Sequence, residues 1–223
     1  MALQRVVQTR RMTHRNELLL DWGRGWAASR GTYAPKPLGD GAWRIEVGLP
    51  GHRLRDLLPA WPVDRVQAWA AALTQPGTWI KALVDPSELQ LPAAWQLHDT
   101  EYLMATPLRV EPVPALTAGY RGELVQEGDA VECRVLTAAG ELAARARVGL
   151  AGRQAIFDQV VTAQAHRRLG LGRHAMARLS QAAQARGAES GLLVATEDGR
   201  ALYTRLGWRV ESLMTAASIG EPT

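Results

Sequence analysis

The chain has 223 residues, of which 47% are hydrophobic and 22% are charged, and its formal net charge is +4. This length and composition predict a globular protein with a sizeable core, folded as one large domain or two small ones. The single cysteine, Cys133, excludes an intramolecular disulfide, and no apolar run approaches the ~20 residues that a membrane-spanning helix needs. Because no apolar segment follows the basic N-terminus, we expect no signal peptide and predict a cytoplasmic protein without a membrane partner.

The first half of the chain is marked by its tryptophans, since seven of the eight lie before residue 100. Each large aromatic side chain buries on the order of 150–250 Å², so we expect most of them to be core residues. Hydrophobic periodicity predicts a helix over 16–29 capped by Asn16, a strand over 42–48 and a helix over 63–73 capped by Asp64. Strands are predicted over 78–84 and 101–105, and segment 52–55 is expected to be a solvated loop.

A proline-rich connection follows this half, with Pro107, Pro112 and Pro114. Proline stiffens and punctuates a chain, so we predict a domain boundary between residues 105 and 117. The predicted domains are an N-terminal α+β lobe, residues 1–110, and a second domain, residues 118–219.

The second half shows a regular series of elements. Alternating residues and tight-turn sequences predict four strands, over 120–126, 130–137, 142–148 and 154–162. A helix with an apolar stripe begins after Gly170 and stops near Gly187, and a buried strand follows over 191–195. Thr196 is predicted to cap the next helix, which ends at Gly207, and two short strands close the chain over 208–213 and 214–219.

The fourth of these strands leads into a glycine-rich turn that reads Arg167-Arg168-Leu169-Gly170-Leu171-Gly172 and then into a helix. The first N–H groups of a helix have no internal partner and carry the positive end of the helix dipole, so this arrangement can bind phosphate. Two glycines let a ligand approach the backbone, and the side chains of Arg167, Arg168 and Arg173 can pair with phosphate oxygens. No Asp or Glu occurs between Asp158 and Glu189, and this concentrated positive charge suits a small polyphosphate better than a nucleic-acid duplex.

These residues resemble a known family. The turn matches the (Gln/Arg)-x-x-Gly-x-(Gly/Ala) motif of the GNAT N-acetyltransferases, and residues 195–208, with Leu202-Tyr203 and a Leu-Gly-Trp end, look like their second signature. The resemblance covers roughly residues 118–219. It implies an α+β fold in three layers, with a mixed, mostly antiparallel, splayed sheet and helices on both faces. The N-terminal lobe is then either a degenerate GNAT-like half, as in tandem members, or an unrelated α+β lobe.

The resemblance also implies a cofactor, acetyl-CoA, and a set of residues that hold it. Backbone N–H groups between Arg168 and Arg173 would bind the pyrophosphate, and the strand backbone before the turn would bind the pantetheine arm. Tyr203 matches the family's tyrosine that protonates the CoA thiolate, and a strand carboxylate, Asp158, is the first candidate general base, with His166 as the second. The implied cofactor-binding residues are Val160, Val161, Thr162, Arg167, Arg168, Leu169, Gly170, Leu171, Gly172, Arg173 and Thr196, the last of which also serves as the helix cap.

One feature departs from the family pattern. Members carry two helices between the first strand and the following meander, but only Glu127-Gly128-Asp129 separates the first two strands here. Helices that shape the acceptor pocket must therefore come from the tryptophan-rich half or be absent.

The function that we predict is transfer of an acetyl group from acetyl-CoA to a primary amine of a small molecule or peptide, by direct attack. The alternatives are a CoA- or acyl-CoA-binding module without turnover and, less favoured, a nucleic-acid-binding protein that uses its arginines. The five histidines and one cysteine show no metal-ligand spacing, so no metal is expected. Since family members often dimerise, a homodimer is compatible with the resemblance.

Overall fold

The structure is a computed structural model that describes the backbone of residues 2–220 and the side chains of residues 8–220. In this part of the chain there are four α-helices and two short 3-10 turns, at Pro86–Glu88 and Gln164–His166. The helices are α1 (Ala2–Arg30), α2 (Val63–Ala71), α3 (Leu171–Gln184) and α4 (Glu197–Arg205).

Twelve strands are present in the described residues. The first six are β1 (Lys36–Gly39), β2 (Ala42–Leu49), β3 (His52–Leu58), β4 (Thr78–Ala82), β5 (Trp95–Leu97) and β6 (Glu101–Pro107). The last six are β7 (Tyr120–Glu127), β8 (Ala130–Thr137), β9 (Leu142–Ala151), β10 (Gln154–Thr162), β11 (Ser190–Ala195) and β12 (Arg209–Ile219).

The chain forms two compact units, each assembled from separate stretches of sequence. The first unit contains the chain up to Gly23, Thr32–Ala105 and the chain from Val194 onward, and the second contains Arg24–Gly31 and Thr106–Leu193. These units do not coincide with the domains predicted at 1–110 and 118–219, because β12 pairs with β4, β5 and β6 of the first unit. That residues 1–110 and 118–219 are separate domains therefore stays a prediction.

In the first unit, the strands lie in the order β1-β2-β3-β4-β12-β6, and β5 also pairs with β12. All of these pairs are antiparallel except β3 with β4, which are parallel and are joined through α2. A buried apolar cluster joins α2 to this sheet, and it includes Trp61, Val66, Ala70, Ile80, Trp95 and Ile219. The parallel pair explains the helix, since two adjacent parallel strands need a crossover connection.

In the second unit, the strands lie in the order β7-β8-β9-β10-β11. The first three pairs are antiparallel hairpins, and β10 and β11 are parallel and joined through α3. Helix α3 packs on β8, β9 and β10. In α1, Gly25 and Ser29 lie against Gly149, and Gly25 also lies against Ile156.

The fold class predicted from the resemblance is confirmed: the protein is α+β, with a mixed, mostly antiparallel sheet and helices on both faces. Strands β7 to β11 lie within three residues of their predicted bounds, and β8 and β10 match them fully. Four of the seven early tryptophans, Trp22, Trp26, Trp61 and Trp95, are buried, and so is Cys133.

Several local predictions are wrong. Helix α1 begins well before Asn16, whose side chain instead accepts a hydrogen bond from the Ala60 N–H. Residue Asp64 lies inside α2, whose N-cap is Pro62 without a side-chain cap. The expected loop at 52–55 is the first part of β3, where Arg55 is only 7% exposed. The two closing strands are one strand, β12, with an irregularity between Val210 and Ser212.

Candidate functional site

The glycine-rich turn connects β10 to α3 in the second unit. Strand β10 ends at Thr162, a 3-10 turn follows at Gln164–His166, and α3 begins at Leu171. The N-cap of α3 is Gly170, which has φ of 75° and offers no side chain to the helix's first N–H groups. Because no side chain caps these donors, the helix end can give them to an anion.

Open space surrounds the turn where a ligand would need it. A Cβ atom at Gly170 would meet no heavy atom within 4 Å, and one at Gly172 would meet only Thr162 Oγ1, at 3.3 Å. The side chains of Arg167, Arg168 and Arg173 are exposed here. Leu169 is 42% exposed, whereas Leu171 is 1% exposed and anchors α3 in the core. Leu171 can therefore contact a ligand through its backbone only.

Strand β10 carries a β-bulge just before the turn. Its register with β9 shifts between Asp158 and Val161, where Gln159 has a left-handed φ of 51°. Its parallel ladder with β11 runs from the pair Gln154–Ser190 to the pair Ile156–Leu192, although β10 continues to Thr162. A bulge leaves backbone groups unpaired, and within the described residues the ladder with β11 has already ended here. Over residues 160–162 the edge of β10 on the β11 side therefore has no ladder partner, while Val161 and Thr162 still pair with Arg145 and Ala144 of β9.

Helix α4 belongs to the first unit and carries the second motif. Thr196 caps it, with its hydroxyl oxygen accepting a hydrogen bond from the Gly199 N–H at 3.3 Å, as predicted from the sequence. The ring of Tyr203 is tilted against Trp208, with centroids 5.7 Å apart. Burial raises the pKa of Tyr203 to about 12. Among the described residues no side-chain hydrogen bond engages its hydroxyl, so the phenol keeps its proton and can donate it.

The carboxylate of Asp158 is engaged by α1. Its Oδ1 accepts a hydrogen bond from Arg30 Nη2 at 3.0 Å, and its Oδ2 accepts from Arg30 Nε and from the Ser29 hydroxyl. A fork-shaped guanidinium that binds both oxygens is the geometry of a strong ion pair. The arrangement assigns Asp158 an anchoring role between β10 and the end of α1, and its use as a general base stays a prediction.

A family model described as "Acetyltransferase (GNAT) family" matches residues 93–208, more than half of the chain. The chain belongs to the GNAT acetyltransferase family. The residues matched include the turn, the bulge and α4. No curated protein sequence matches this chain.

Solved structures of GNAT proteins share the fold. A GCN5-related N-acetyltransferase from Kribbella flavida is 17% identical over 93% of this chain and 96% of that chain, with a TM-score of 0.59. A GNAT-family protein from Novosphingobium aromaticivorans is 19% identical over 92% and 99%, with a TM-score of 0.57. A tandem GNAT protein from the clavulanic acid biosynthesis pathway is 15% identical over 95% and 96%, with a TM-score of 0.53. Identities this low show the fold alone.

The predicted GNAT site residues fall into two groups. The second unit brings together Asp158, the strand backbone over 160–162 and the turn over 167–173. The first unit holds Thr196 and Tyr203 on α4. Among the described residues no cluster of His, Cys, Asp or Glu could hold a metal ion. No helix in the same part of the chain is long and apolar enough to cross a membrane.

Three features of the site escaped the sequence analysis. The bulge falls at Gln159, which is not a glycine and so gave no local signal of a left-handed backbone. The Arg30–Asp158 ion pair joins residues 128 positions apart, which periodicity does not reveal. The hydroxyl of Tyr120 lies 2.8 Å from His166 Nδ1 beside the turn, and the only hint of this pair was the position of His166.

Proposed function

We propose that the protein is an acetyl-CoA-dependent N-acetyltransferase that acts on a primary amine of a small molecule or peptide by direct attack. One observation carries the proposal: a bulged strand with an unpaired edge leads through an open glycine turn into an uncapped helix N-terminus. This sequence of features offers backbone groups to an extended arm and then N–H donors to a phosphate.

The residues present fit acetyl-CoA. The backbone of Val160, Val161 and Thr162 would hydrogen-bond the pantetheine arm, and N–H groups over 168–173 would hold the pyrophosphate. Exposed guanidinium groups at Arg167, Arg168 and Arg173 add positive charge for the phosphates. When bound, acetyl-CoA supplies the acetyl group and the leaving thiolate.

Tyr203 would provide the proton for the leaving sulfur. As the amine nitrogen bonds to the carbonyl carbon, the C–S bond breaks and the sulfur gains negative charge. A phenol with a pKa of about 12 gives its proton to a thiolate of pKa near 8.5 at a cost of roughly 5 kcal/mol. Tyr203 would therefore donate a hydrogen bond to the sulfur as it departs. The general base would take the proton of the new ammonium, and the tyrosinate of Tyr203 would recover a proton from that base or from solvent, which leaves an amide, a free thiol and a neutral Tyr203.

A general base must take the proton from the incoming amine. We retain Asp158 as the first candidate, because it lies on β10 next to the bulge, and His166 as the second. Both Asp158 oxygens already accept hydrogen bonds, and His166 Nδ1 is engaged by the Tyr120 hydroxyl. Either residue would therefore act through a water molecule or after a local rearrangement.

Cofactor binding and turnover are tested separately. Isothermal titration with CoA measures binding, and thiol release from acetyl-CoA against a panel of amino acids, polyamines, aminoglycosides and peptides measures turnover. Replacing Gly172 with Val places a branched side chain where the pyrophosphate should lie, so CoA binding should be lost without unfolding. Ala185→Val, at an exposed position at the other end of α3, is the matched control. Wild-type affinity for CoA in Gly172→Val would remove the phosphate-site assignment.

A second candidate is a CoA- or acyl-CoA-binding module without turnover. The observation that favours it is the bidentate pairing of Asp158 with Arg30, which leaves the site without a free carboxylate base on β10. Tight CoA binding with no acetylated product by mass spectrometry, across the whole amine panel, would select this candidate over the enzyme.

We also propose that residues 1–110 are a degenerate GNAT-like half. The order β2-β3-α2-β4, antiparallel and then parallel, repeats the order β9-β10-α3-β11. The similar fold of the tandem GNAT protein supports this. Its β3–β4 ladder, however, pairs every residue from Leu54–Thr78 to Leu58–Ala82, and the connection to α2 contains Pro59 and Pro62 but no glycine. This half would therefore not bind CoA.

Two further predictions complete the proposal. We place the reaction in the cytoplasm, where a protein with a single buried thiol needs no oxidising environment. A homodimer is compatible with the family, and light scattering of the purified chain decides between monomer and dimer.

A further inference from the structure

A hydrogen-bonded pair of side chains, Tyr120 and His166, lies beside the glycine turn. The hydroxyl of Tyr120, the first residue of β7, is 2.8 Å from Nδ1 of His166, the last residue of the 3-10 turn. The two rings meet edge to face, with centroids 5.7 Å apart and planes at 82°. Both side chains are half-buried and both belong to the second unit.

The turn that follows His166 has an unfavourable backbone. Arg168 has φ of 64°, a left-handed conformation that residues with a Cβ rarely adopt, and Gly170 has φ of 75°. Such a conformation persists only where surrounding contacts hold it. The turn's own hydrogen bonds are local: His166 N–H donates to Ala163 O, Arg167 N–H to Gln164 O, and Arg167 Nε to Thr162 O.

The Tyr120 hydroxyl supplies a contact from outside. It ties residues 163–170 to β7, in addition to the backbone bond that Ala163 N–H donates to Ala143 O of β9 at 2.9 Å. A phenol can donate to a neutral imidazole or accept from a protonated one, so this bond survives a change in the charge of His166. The pair therefore restrains the start of the turn whether the imidazole is neutral or protonated.

Tyr120 is itself held in place by the segment before it. Its backbone pairs with Thr137 on β8, and its N–H donates to Thr117 O at 3.2 Å. Further upstream, the proline-rich segment is fastened along α3. His174 Nδ1 is 2.7 Å from Pro114 O, and Gln181 Nε2 donates to Glu111 O at 3.0 Å. The segment before Tyr120 is therefore bonded to α3, and Tyr120 is bonded to the turn from which α3 begins.

We infer that Tyr120 is a positioning residue for the cofactor turn. Through His166 it holds residues 167–170 in the conformation that presents the first N–H groups of α3 to a pyrophosphate. The inference rests on the proposed function of this turn as the phosphate site. A turn held in its binding conformation loses less entropy when the ligand arrives, so the pair should strengthen binding of the phosphate-bearing part of the ligand only.

The test compares ligands with and without phosphates. Titration of the full chain with CoA by calorimetry gives one Kd, and titration with pantetheine by ligand-observed NMR gives another. Tyr120→Phe keeps the ring and removes the hydroxyl. We expect CoA affinity to fall about five- to tenfold, as for the loss of one net hydrogen bond, and pantetheine affinity to change less than twofold. Tyr33→Phe, at a tyrosine that is 72% exposed, is the control and should alter neither.

Variants of the partner residue make the test independent of one substitution. His166→Phe should match Tyr120→Phe, and the double variant should bind CoA no more weakly than either single variant, because both remove the same bond. His166→Gln, whose amide can still bond the hydroxyl, should keep most of the affinity. If Tyr120→Phe does not fold, the comparison of His166→Phe with His166→Gln decides the matter.

Two results would overturn the inference while leaving the proposed function intact. One is an unchanged CoA affinity in both Tyr120→Phe and His166→Phe. The other is an equal loss for CoA and pantetheine, which would indicate general destabilisation. Wild-type protein that fails to bind CoA at all would reject the proposed function of the turn and this inference with it.

Discussion

At the scale of single residues, Tyr203 is the side chain on which catalysis can be separated from binding. Tyr203→Phe keeps the ring against Trp208 and removes a hydroxyl that has no side-chain hydrogen bond among the described residues. We expect the melting temperature and CoA affinity to be nearly unchanged. Turnover should fall by roughly a hundred- to ten-thousand-fold, the usual contribution of general acid catalysis, with little change in the KM of the amine.

Steady-state kinetics and thermal unfolding of the same preparation check this prediction. Unchanged turnover would show that another group protonates the thiolate. A melting temperature that falls by many degrees would show that the hydroxyl has a structural partner.

Gly149 is the residue at which the packing of α1 on β9 is most sensitive. A Cβ atom there would lie 2.1 Å from Gly25 O and 2.8 Å from Ser29 N, so backbone atoms of α1 would have to move. We expect Gly149→Ala to lower the free energy of unfolding by about 3 kcal/mol. Urea unfolding measures the loss, and Gly220→Ala, where a Cβ meets nothing within 4 Å, is the control. A stable Gly149→Ala variant would mean that α1 does not approach β9 this closely.

At the scale of elements, the pair formed by Arg30 and Asp158 joins the end of α1 to β10. If the carboxylate only anchors the helix, Arg30→Ala and Asp158→Asn should each lower the free energy of unfolding by about 1 kcal/mol. The two variants should then retain the same fraction of wild-type turnover. If Asp158 is also the general base, Asp158→Asn should lose most turnover while Arg30→Ala retains it.

A double-variant cycle on stability, together with kinetics of both single variants, distinguishes these outcomes. Lys36→Ala is the control, because its ion pair with Glu46 is exposed, with side chains 65% and 50% accessible, and should matter little. Additive stability losses for Arg30 and Asp158 would show that the two side chains do not interact.

At the scale of the whole molecule, acid should weaken the fold through His98. Burial, and then the positive charge of Lys81, lower the pKa of His98 below its usual 6.5. The unfolded chain then binds more protons than the folded chain between the lowered pKa and about 6.5, so stability should fall as the pH drops through that window. Unfolding measured from pH 8 to pH 5 should show a flatter profile for His98→Gln than for wild type. His14→Gln, at an exposed position on α1, is the control, and an identical profile in His98→Gln would reject the assignment.

The units also predict that residues 118–219 will not fold alone. Their last strand, β12, pairs with β4, β5 and β6, which this fragment lacks. Residues 24–30 of α1, of which Gly25 and Ser29 pack on β9 and β10, are missing as well. We expect the fragment to aggregate or to bind hydrophobic dyes. Cooperative melting of the isolated fragment, with CoA affinity equal to that of the full chain, would contradict this and support separable domains.

The sequence by itself determined the local parts of this protein. The strands from β7 to β10 are separated by short turn sequences and β11 is a continuous apolar run, so local patterns sufficed to place them. The same is true of the turn over 167–172, whose glycines and arginines are adjacent in sequence, and of the Thr196 cap. Motif order along the chain was enough to indicate the GNAT family and the α+β class.

Only the tertiary structure decided the parts that depend on distant contacts. The bond of Tyr120 to His166 joins residues 46 positions apart, and the ion pair of Arg30 with Asp158 joins residues 128 positions apart. The β12–β4 pair of Ser218 with Trp79 joins residues 139 positions apart (218 − 79). No local pattern marks these contacts. The left-handed Gln159 is held by its strand neighbours and not by its own preference. Local patterns reflect the conformational preference of a segment, whereas which segments meet is decided by the free energy of burying their apolar faces together.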